Sequence, residues 1–320
     1  MKPVSGRLFT VARSFSRGAI IFAVIASLFF RQLISHSNLS WQLGLSIVAL
    51  LIGIPHGAVD HLIAIPRKSP TVFFGFILLY VGIAVLAVLA LLRWSVFGFQ
   101  VVVWMSALHF GFGDASFISQ HDDLIHRDRS HLALKIVYAI PAGTLPVVIP
   151  LVQNQSTDAL MRVNPSLVDW AGTYAGSLKI AVASIALIST ITLALFKRYQ
   201  EVLDLFLLAA LAFCAPPLVA FAFYFGCWHA VRHTARLTLL LPTAVAAAAA
   251  GNIKKSFASA VIPGLPALVG TGIVAVALAL VNRDSFNSTL LWSLLVVVWA
   301  LTVPHMLVTS SLDVKALTNS

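Results

Sequence analysis

Long apolar runs separated by short polar links dominate the chain. Within these runs apolar and polar residues do not alternate, as they would in the strands of a transmembrane β-barrel. Most runs are close to the roughly 20 residues that an α-helix needs to cross the hydrocarbon core of a bilayer. The pattern therefore predicts an all-α, polytopic integral membrane protein with about ten transmembrane helices in one bundle. The predicted spans are 18–34, 41–62, 71–92, 96–118, 132–152, 173–196, 202–215, 217–241, 258–281 and 288–309.

The composition fits the same class of protein. Of the 320 residues 59% are hydrophobic and 10% are charged, and the mean hydropathy is +0.95. The net charge of +10 is spread over the links rather than gathered on one face, so it does not indicate a nucleic-acid-binding surface. The two cysteines, Cys214 and Cys227, both lie in apolar runs, which argues against a disulfide framework.

The basic residues predict the orientation in the membrane. If the N-terminus is cytoplasmic, fourteen of the 21 Lys and Arg residues fall on the inner side and five on the outer side, which is the usual positive-inside bias. A cleaved signal peptide would also begin with a basic segment, but no small-residue cleavage site follows the first apolar run. We therefore expect a basic cytoplasmic segment at 1–17, a transmembrane catalytic bundle at 18–309 and a cytoplasmic tail at 310–320, in the inner membrane of the cell.

The most distinctive stretch is YFGCWHAVRH, residues 224–233, inside the eighth apolar run. It puts His229 and His233 four residues apart, and residues i and i+4 lie on one face of an α-helix. Two imidazoles at this spacing can bind one metal ion from a single helix. Ionisable residues within a membrane span are costly to bury and commonly functional. The alternative is that each is a neutral core histidine bonded to a nearby carbonyl.

Further titratable residues share this setting in three other apolar runs: GIPHGAVDH holds His56, Asp60 and His61, LHFGFGDA holds His109 and Asp114, and TVPHM holds His305. All runs with embedded histidines cross the membrane in the same direction in the predicted topology. These histidines, His61 aside, lie 12 to 17 residues after their runs begin, which gives them a similar depth. Helices that run the same way and carry histidines at one level can share one site.

The ligand types limit the metal. Neutral imidazoles suit Fe, Zn, Cu or Ni, and the lack of thiolate or carboxylate clusters argues against Ca, Mg and Fe–S centres. Asp60 follows His56 by four residues and Asp114 follows His109 by five, so either carboxylate could accept the outer N–H of a metal-bound imidazole. Asp60 could instead cap a helix end or pair with Arg67.

Taken in order, PHGAVDH, HFGFGDA, YFGCWHAVRH and PHM resemble the motifs of the Brp/Blh family of β-carotene dioxygenases, over roughly residues 50–310. The resemblance implies an integral membrane enzyme with non-haem Fe(II), which uses O₂ to split the central 15,15′ double bond of β-carotene into two molecules of all-trans-retinal. It also implies a functional link to a microbial rhodopsin, which carries retinal as its chromophore. The iron ligands that it implies are His56, His109, His229 and His233.

β-Carotene is an apolar hydrocarbon dissolved in the bilayer, so its position in a site must be set by shape rather than by hydrogen bonds. We therefore expect an aromatic substrate tunnel beside the histidines, although ordinary core packing is the alternative for each aromatic residue. The expected tunnel residues are Phe110, Phe112, Phe221, Tyr224 and Trp228.

His305 shares the depth of the four ligands, but a fifth imidazole would fill a position that O₂ needs. We therefore expect His305, like Asp60 and Asp114, to support the ligands or to line the tunnel rather than to bind the iron. His61 follows His56 by five residues, so on a continuous helix it points about 140° away. We expect it at the cytoplasmic surface.

Other functions would use the same embedded histidines. A membrane haem or electron-transfer protein would need fewer imidazoles at one depth, and a metal or proton transporter would be expected to have internal repeats that the chain lacks. A desaturase-like di-iron enzyme would need more embedded histidines than the four or five present. These comparisons favour the carotenoid oxygenase, with Fe(II) as cofactor and β-carotene and O₂ as substrates.

Overall fold

The structure, a computed structural model, describes residues 2–30, 39–65, 69–128, 130–281 and 286–318. Within these ranges every regular element is helical. The α-helices are α1 Lys2–Phe29, α2 Ser40–Gly57, α3 Asp60–Ala64, α4 Pro70–Arg93, α5 Ser95–Leu124, α6 Leu132–Leu151, α7 Ser156–Val163, α8 Ala175–Leu195, α9 Tyr199–Cys214, α10 Pro217–Ala222, α11 Ala230–Leu237, α12 Pro242–Ala249, α13 Ile253–Val261, α14 Pro266–Val281 and α15 Phe286–Thr318. A π-helical segment, Phe223–His229, joins α10 to α11, and short 3₁₀ turns lie at Pro165–Leu167, Gly172–Tyr174 and Ile262–Gly264.

The prediction of an all-α, polytopic membrane protein is confirmed. Eight helical stretches in the described residues are long and apolar enough to cross a membrane. They are Val4–Phe29, Ser40–Ala64, Pro70–Arg93, Ser95–Leu124, Leu132–Leu151, Gly172–Leu195, Ile253–Val281 and Leu290–Thr318. The difference from the predicted count of about ten falls on the runs 202–215 and 217–241.

These two runs form a consecutive pair of shorter helical pieces. The first is α9, which has 16 residues, and the second is divided into α10, the π-helical segment and α11. The two runs meet at Pro216 and Pro217. Proline favours the start of a helix and breaks its interior, so α9 ends before these residues and α10 begins at Pro217. The two runs follow one another directly. Every other link therefore stays on its predicted side of the membrane whether both runs cross the membrane or neither does.

Long helices lie near both ends of the described residues. α1 runs from Lys2 to Phe29, so most of the predicted basic segment and the first part of the first apolar run form one continuous helix. Arg13 and Ser16, within that basic segment, are buried against the rest of the protein. At the other end, α15 continues through the predicted tail as far as Thr318. Which side of the membrane each end faces stays a prediction.

α5 and α6 make the closest helix–helix contact near the centre of the molecule. A Cβ atom added to Gly111 of α5 would collide with the carbonyl of Ala139, and one added to Gly143 of α6 would collide with the carbonyl of Ala107. At the crossing each helix thus carries two small residues four positions apart, Ala107 and Gly111 on α5 and Ala139 and Gly143 on α6. This pattern lets two membrane helices approach closely. The contact fixes the depth of α5, which carries His109.

Replacing Gly143 by Ala should destabilise the protein, because the added methyl group meets rigid backbone rather than a flexible side chain. We expect a loss of about 3 kcal/mol or more in the free energy of unfolding, measured by thermal unfolding of the detergent-solubilised protein. Gly270→Ala in α14 is the matched control, since no atom lies within 4 Å of its Cβ position. Equal unfolding temperatures for the two variants would contradict the tight crossing.

Candidate metal centre and adjoining cavity

Five histidines from five helical elements meet in the interior. His56 lies near the end of α2, His109 in the middle of α5, His229 at the end of the π-helical segment, His233 in α11 and His305 in α15. All five are buried. The structure thus brings together the histidines that the sequence predicts at one depth.

The imidazole rings form one compact cluster. The His56 ring centre is 5.2 Å from that of His229 and 5.0 Å from that of His233. The His109 ring centre is 5.2 Å and 6.2 Å from the same two rings. His229 and His233 are 5.8 Å apart. The ring of His305 is equally close, at 5.7 Å from His56, 5.1 Å from His109 and 5.6 Å from His233.

The π-helical segment presses closely against α2. The ring of Phe225 occupies the space where a Cβ atom of Gly53 would lie, and Gly226 rests against Ala49. A π-helical turn inserts one extra residue into a helix and often marks a functional site. Here it ends at His229, so it sets the rotation with which that imidazole enters the cluster.

The polar atoms of the cluster fit a set of metal donors. Several buried ring nitrogens have no hydrogen-bond partner: Nδ1 of His56, Nε2 of His229, both ring nitrogens of His233 and Nε2 of His305. An unpartnered polar atom in an apolar interior costs free energy, so a group of them calls for a ligand. Neutral imidazoles suit iron, zinc, copper and nickel.

The spacing of the rings also fits a metal, although their orientation does not yet form a site. Among the described residues no group of three His, Cys, Asp or Glu side chains could hold a metal ion as it stands. A nitrogen about 2.1 Å from a metal would put neighbouring ring centres about 4.5 to 6.5 Å apart. The ring pairs above fall within this range, so the distances between the rings are compatible with one shared metal ion.

Asp60 binds His305 rather than His56. Both of its carboxylate oxygens lie 3.0 Å from Nδ1 of His305, and the hydroxyl of Tyr80 donates to it at 2.9 Å. α2 ends at Gly57 and a new helix begins at Asp60, so the spacing of four residues from His56 does not keep the two on one helix face. Arg67, the alternative partner of Asp60, lies outside the described residues.

His109 has a different neighbour from the one expected. Its Nδ1 lies 3.3 Å from the hydroxyl of Thr309, which also donates to the carbonyl of His305 at 3.1 Å. The predicted partner, Asp114, faces a buried cation instead: Nη1 of Arg232 donates to it at 2.8 Å. The five-residue spacing of Asp114 from His109 puts the two side chains on different faces of α5.

Arg232 is the centre of a buried charge network. Its guanidinium lies 3.5 Å from the centre of the Trp228 ring and its Nη1 lies 3.5 Å from the carboxylate of Asp204. The indole of Trp228 and the hydroxyl of Tyr138 also donate to Asp114. Two carboxylates thus surround one guanidinium in a region where an unpaired charge would be very costly.

α1 completes this network, which the sequence motifs did not reveal. Ser16 accepts a hydrogen bond from Nε of Arg232 at 2.9 Å. Arg13 and Arg17 both bind Asp204, at 2.8 Å and 2.6 Å. Only the basic pattern of the first helix, with Arg13 and Arg17 four residues apart and so on one face, could have indicated that it packs against acidic groups.

A largely apolar cavity of about 480 Å³ adjoins the imidazole cluster. Its lining includes His56, His109, His229 and His305. Of the predicted tunnel residues, Phe110, Phe221 and Tyr224 line it.

Phe112 and Trp228 are not among the lining residues. Phe112 packs against the apolar core. Trp228 is fully buried and contacts the guanidinium of Arg232, on the side of its helix away from the cavity. His61 is half-exposed and lies at the edge of the cavity, where its ring contacts that of Phe73. Its place at the cytoplasmic surface stays a prediction.

Comparisons with known proteins agree on one family. A family model described as β-carotene 15,15′-dioxygenase matches residues 47–313. A β-carotene 15,15′-dioxygenase of uncultured marine bacterium 66A03 is 27% identical over 271 residues, which cover 81% of this chain and 90% of the relative. A protein named probable β-carotene 15,15′-dioxygenase Blh, of Halobacterium salinarum, is 26% identical over 310 residues, with 83% of this chain and 82% of the relative covered. No solved structure matches the chain.

Replacing Arg232 by Met should leave two buried carboxylates without their shared cation. We expect the free energy of unfolding to fall by about 3 kcal/mol, at the lower end for a broken buried pair, because other donors still reach Asp114 and Asp204. Thermal unfolding in detergent measures the loss. Arg162→Met, at an exposed position of α7, is the control. If both variants unfolded at the wild-type temperature, the network would not stabilise the fold.

Proposed function

This chain belongs to the β-carotene 15,15′-dioxygenase family, and we propose that it cleaves the central 15,15′ double bond of β-carotene with O₂ to give two molecules of all-trans-retinal. The observation that carries the proposal is the cluster of buried imidazoles with unpartnered nitrogens at the wall of an apolar cavity. A hydrocarbon substrate needs such a cavity, and a metal ion held beside it would allow O₂ to be activated there.

The metal in this proposal is ferrous iron held by His56, His109, His229 and His233. When bound, ferrous iron would supply the capacity to bind and activate O₂. Four neutral ligands leave the ion its full positive charge and keep positions open on it, which suits an oxygenase. The carboxylates nearest the cluster support this donor set, because Asp114 is bound to Arg232 and Asp60 to His305 and Tyr80.

The apolar cavity holds and orients the substrate. β-Carotene offers no hydrogen bonds, so contacts with Phe110, Phe221 and Tyr224 would fix the polyene relative to the imidazoles by shape alone. The same lining excludes water from the reacting bond. Because both substrate and product are lipid-soluble, a cavity within the bilayer suits entry from the side of the helix bundle.

His305 has a supporting role in this proposal. Asp60 holds its Nδ1, which fixes the ring with Nε2 turned away from that carboxylate. A carboxylate bound in this way holds an imidazole ring in one orientation. With four other imidazoles available, His305 would complete the wall of the site and leave room for O₂.

The cellular setting follows from the product. Retinal is the chromophore of microbial rhodopsins, so we propose a functional link to such a protein in the same membrane. The positive-inside bias supports an inner-membrane location with a cytoplasmic N-terminus.

Removing any one of the proposed ligands should abolish cleavage and lower bound iron. For His56→Ala, His109→Ala, His229→Ala and His233→Ala we expect retinal formation to fall by at least about 100-fold, more than the loss caused by removing a supporting partner. Retinal is measured by chromatography of extracts from β-carotene-producing cells, and iron by elemental analysis of the purified protein. His131→Ala, at an exposed position, is the control. A variant with normal turnover and iron would exclude that residue as a ligand.

The variant His305→Ala should show whether His305 supports the metal ligands or binds the metal itself. We expect it to keep its iron while turnover falls about 10- to 100-fold, the range for outer groups around a metal site, because the variant removes the ring that packs beside His56 and His109. His61→Ala, which alters the cavity wall without a hydrogen-bonded partner in the cluster, should change turnover little. The same iron and retinal assays apply. Loss of iron from a folded His305→Ala protein would make His305 a ligand and overturn its assignment.

A further inference from the structure

The cavity is much longer on one side of the imidazole cluster than on the other. On α2 its lining extends from His56 back to Leu43, and on α5 from His109 back to Phe99. At 1.5 Å per residue these distances along the helices are about 20 Å and about 15 Å. In the opposite direction the lining ends within a few residues, at Asp60 and His61. We call the longer side the long arm.

The short helix α7 closes the far end of the long arm. Four of its residues line the cavity, Ser156, Ala159, Leu160 and Val163, and their i, i+3, i+4, i+7 spacing puts them on one helix face. The opposite face, with Thr157 and Met161, is exposed.

The closed end is apolar even where a hydroxyl is present. The hydroxyl of Ser156 donates to the carbonyls of Leu151 and Gln153, at 3.0 Å and 2.7 Å. Its proton is therefore engaged by the backbone and is not offered to a ligand. An end wall whose hydroxyl proton is already engaged suits the hydrocarbon ring that ends a cyclic carotenoid.

The length of the long arm matches half of a cyclic C40 carotenoid. Such a molecule is about 30 Å long, close to the thickness of the bilayer core, so one half extends about 15 Å from its central bond. A half-molecule whose end ring reaches α7 would therefore leave its central double bond at the imidazole cluster.

We propose that α7 is the end stop of the substrate arm, and that Ala159 and Val163 determine how long a half-molecule the arm accepts. The inference rests on the proposed function and deepens it, since it names the element that selects the central bond. Substrates with a ringed half of this length fill the arm, and shorter halves enter it without contacting α7.

Two substrates with different halves test the end stop. Both carry a 15,15′ bond: β-carotene has an end ring on each half, and a C30 apocarotenal has one ringed half and one shorter half that ends in an aldehyde. In Ala159→Phe the added ring shortens the arm, so retinal formation from β-carotene should fall at least tenfold relative to that from the apocarotenal. Thr157→Phe, on the exposed face of the same helix, should keep the wild-type ratio.

A second variant distinguishes a shorter arm from a protein that fails to fold. Val163 is only partly buried, so Val163→Phe tolerates the larger side chain more easily and should shift the ratio in the same direction. Membrane protein level and bound iron are measured for each variant. If turnover of both substrates fell in parallel, or if neither changed, α7 would not be the end stop. A wild-type protein that cleaved neither substrate would contradict the proposed function itself.

Discussion

The buried guanidinium of Arg232 between Asp114 and Asp204 is the interaction on which the candidate site depends. A charge in an apolar interior must be paired, and breaking such a pair costs far more than a surface pair contributes. Arg232 lies between His229 and His233 in sequence but points to a different face of the helix. Satisfying the cation on one face therefore fixes the rotation of α11, which turns the two imidazoles of the other face toward the cavity.

This arrangement separates two kinds of polar group within the helix bundle. On one side of α11, carboxylates and guanidinium groups pair with each other, and α1 contributes Arg13 and Arg17 to them. On the other side lie imidazoles with unpartnered nitrogens. Asp114 and Asp204 are already engaged by guanidinium groups, so of these two kinds of polar group only the imidazoles are left to bind a metal. The polar interior of the first helix thus supports a site that it does not touch.

The sequence was sufficient for the fold class and for the meeting of the histidines, because both follow from regular helices of known rise. It failed where a helix is irregular. The break after Gly57 moved Asp60 to His305, and Trp228, which lies in the π-helical segment, faces Arg232 rather than the cavity. The charge network was missed for another reason. Its partners, such as Arg13 and Asp204, are 191 residues apart, and no local spacing connects them.

A cavity with one long arm is compatible with the two-fold symmetry of the proposed substrate. With one long arm, only half of a C40 carotenoid would lie in that arm, and the second half would extend away from it. A single end stop would give no unique product from an asymmetric polyene, because either half could enter. β-Carotene has two identical halves. An end stop at the length of one half therefore puts the central bond at the imidazole cluster whichever end enters first. A one-armed cavity is therefore sufficient for central cleavage, and a second arm of matched length is not needed.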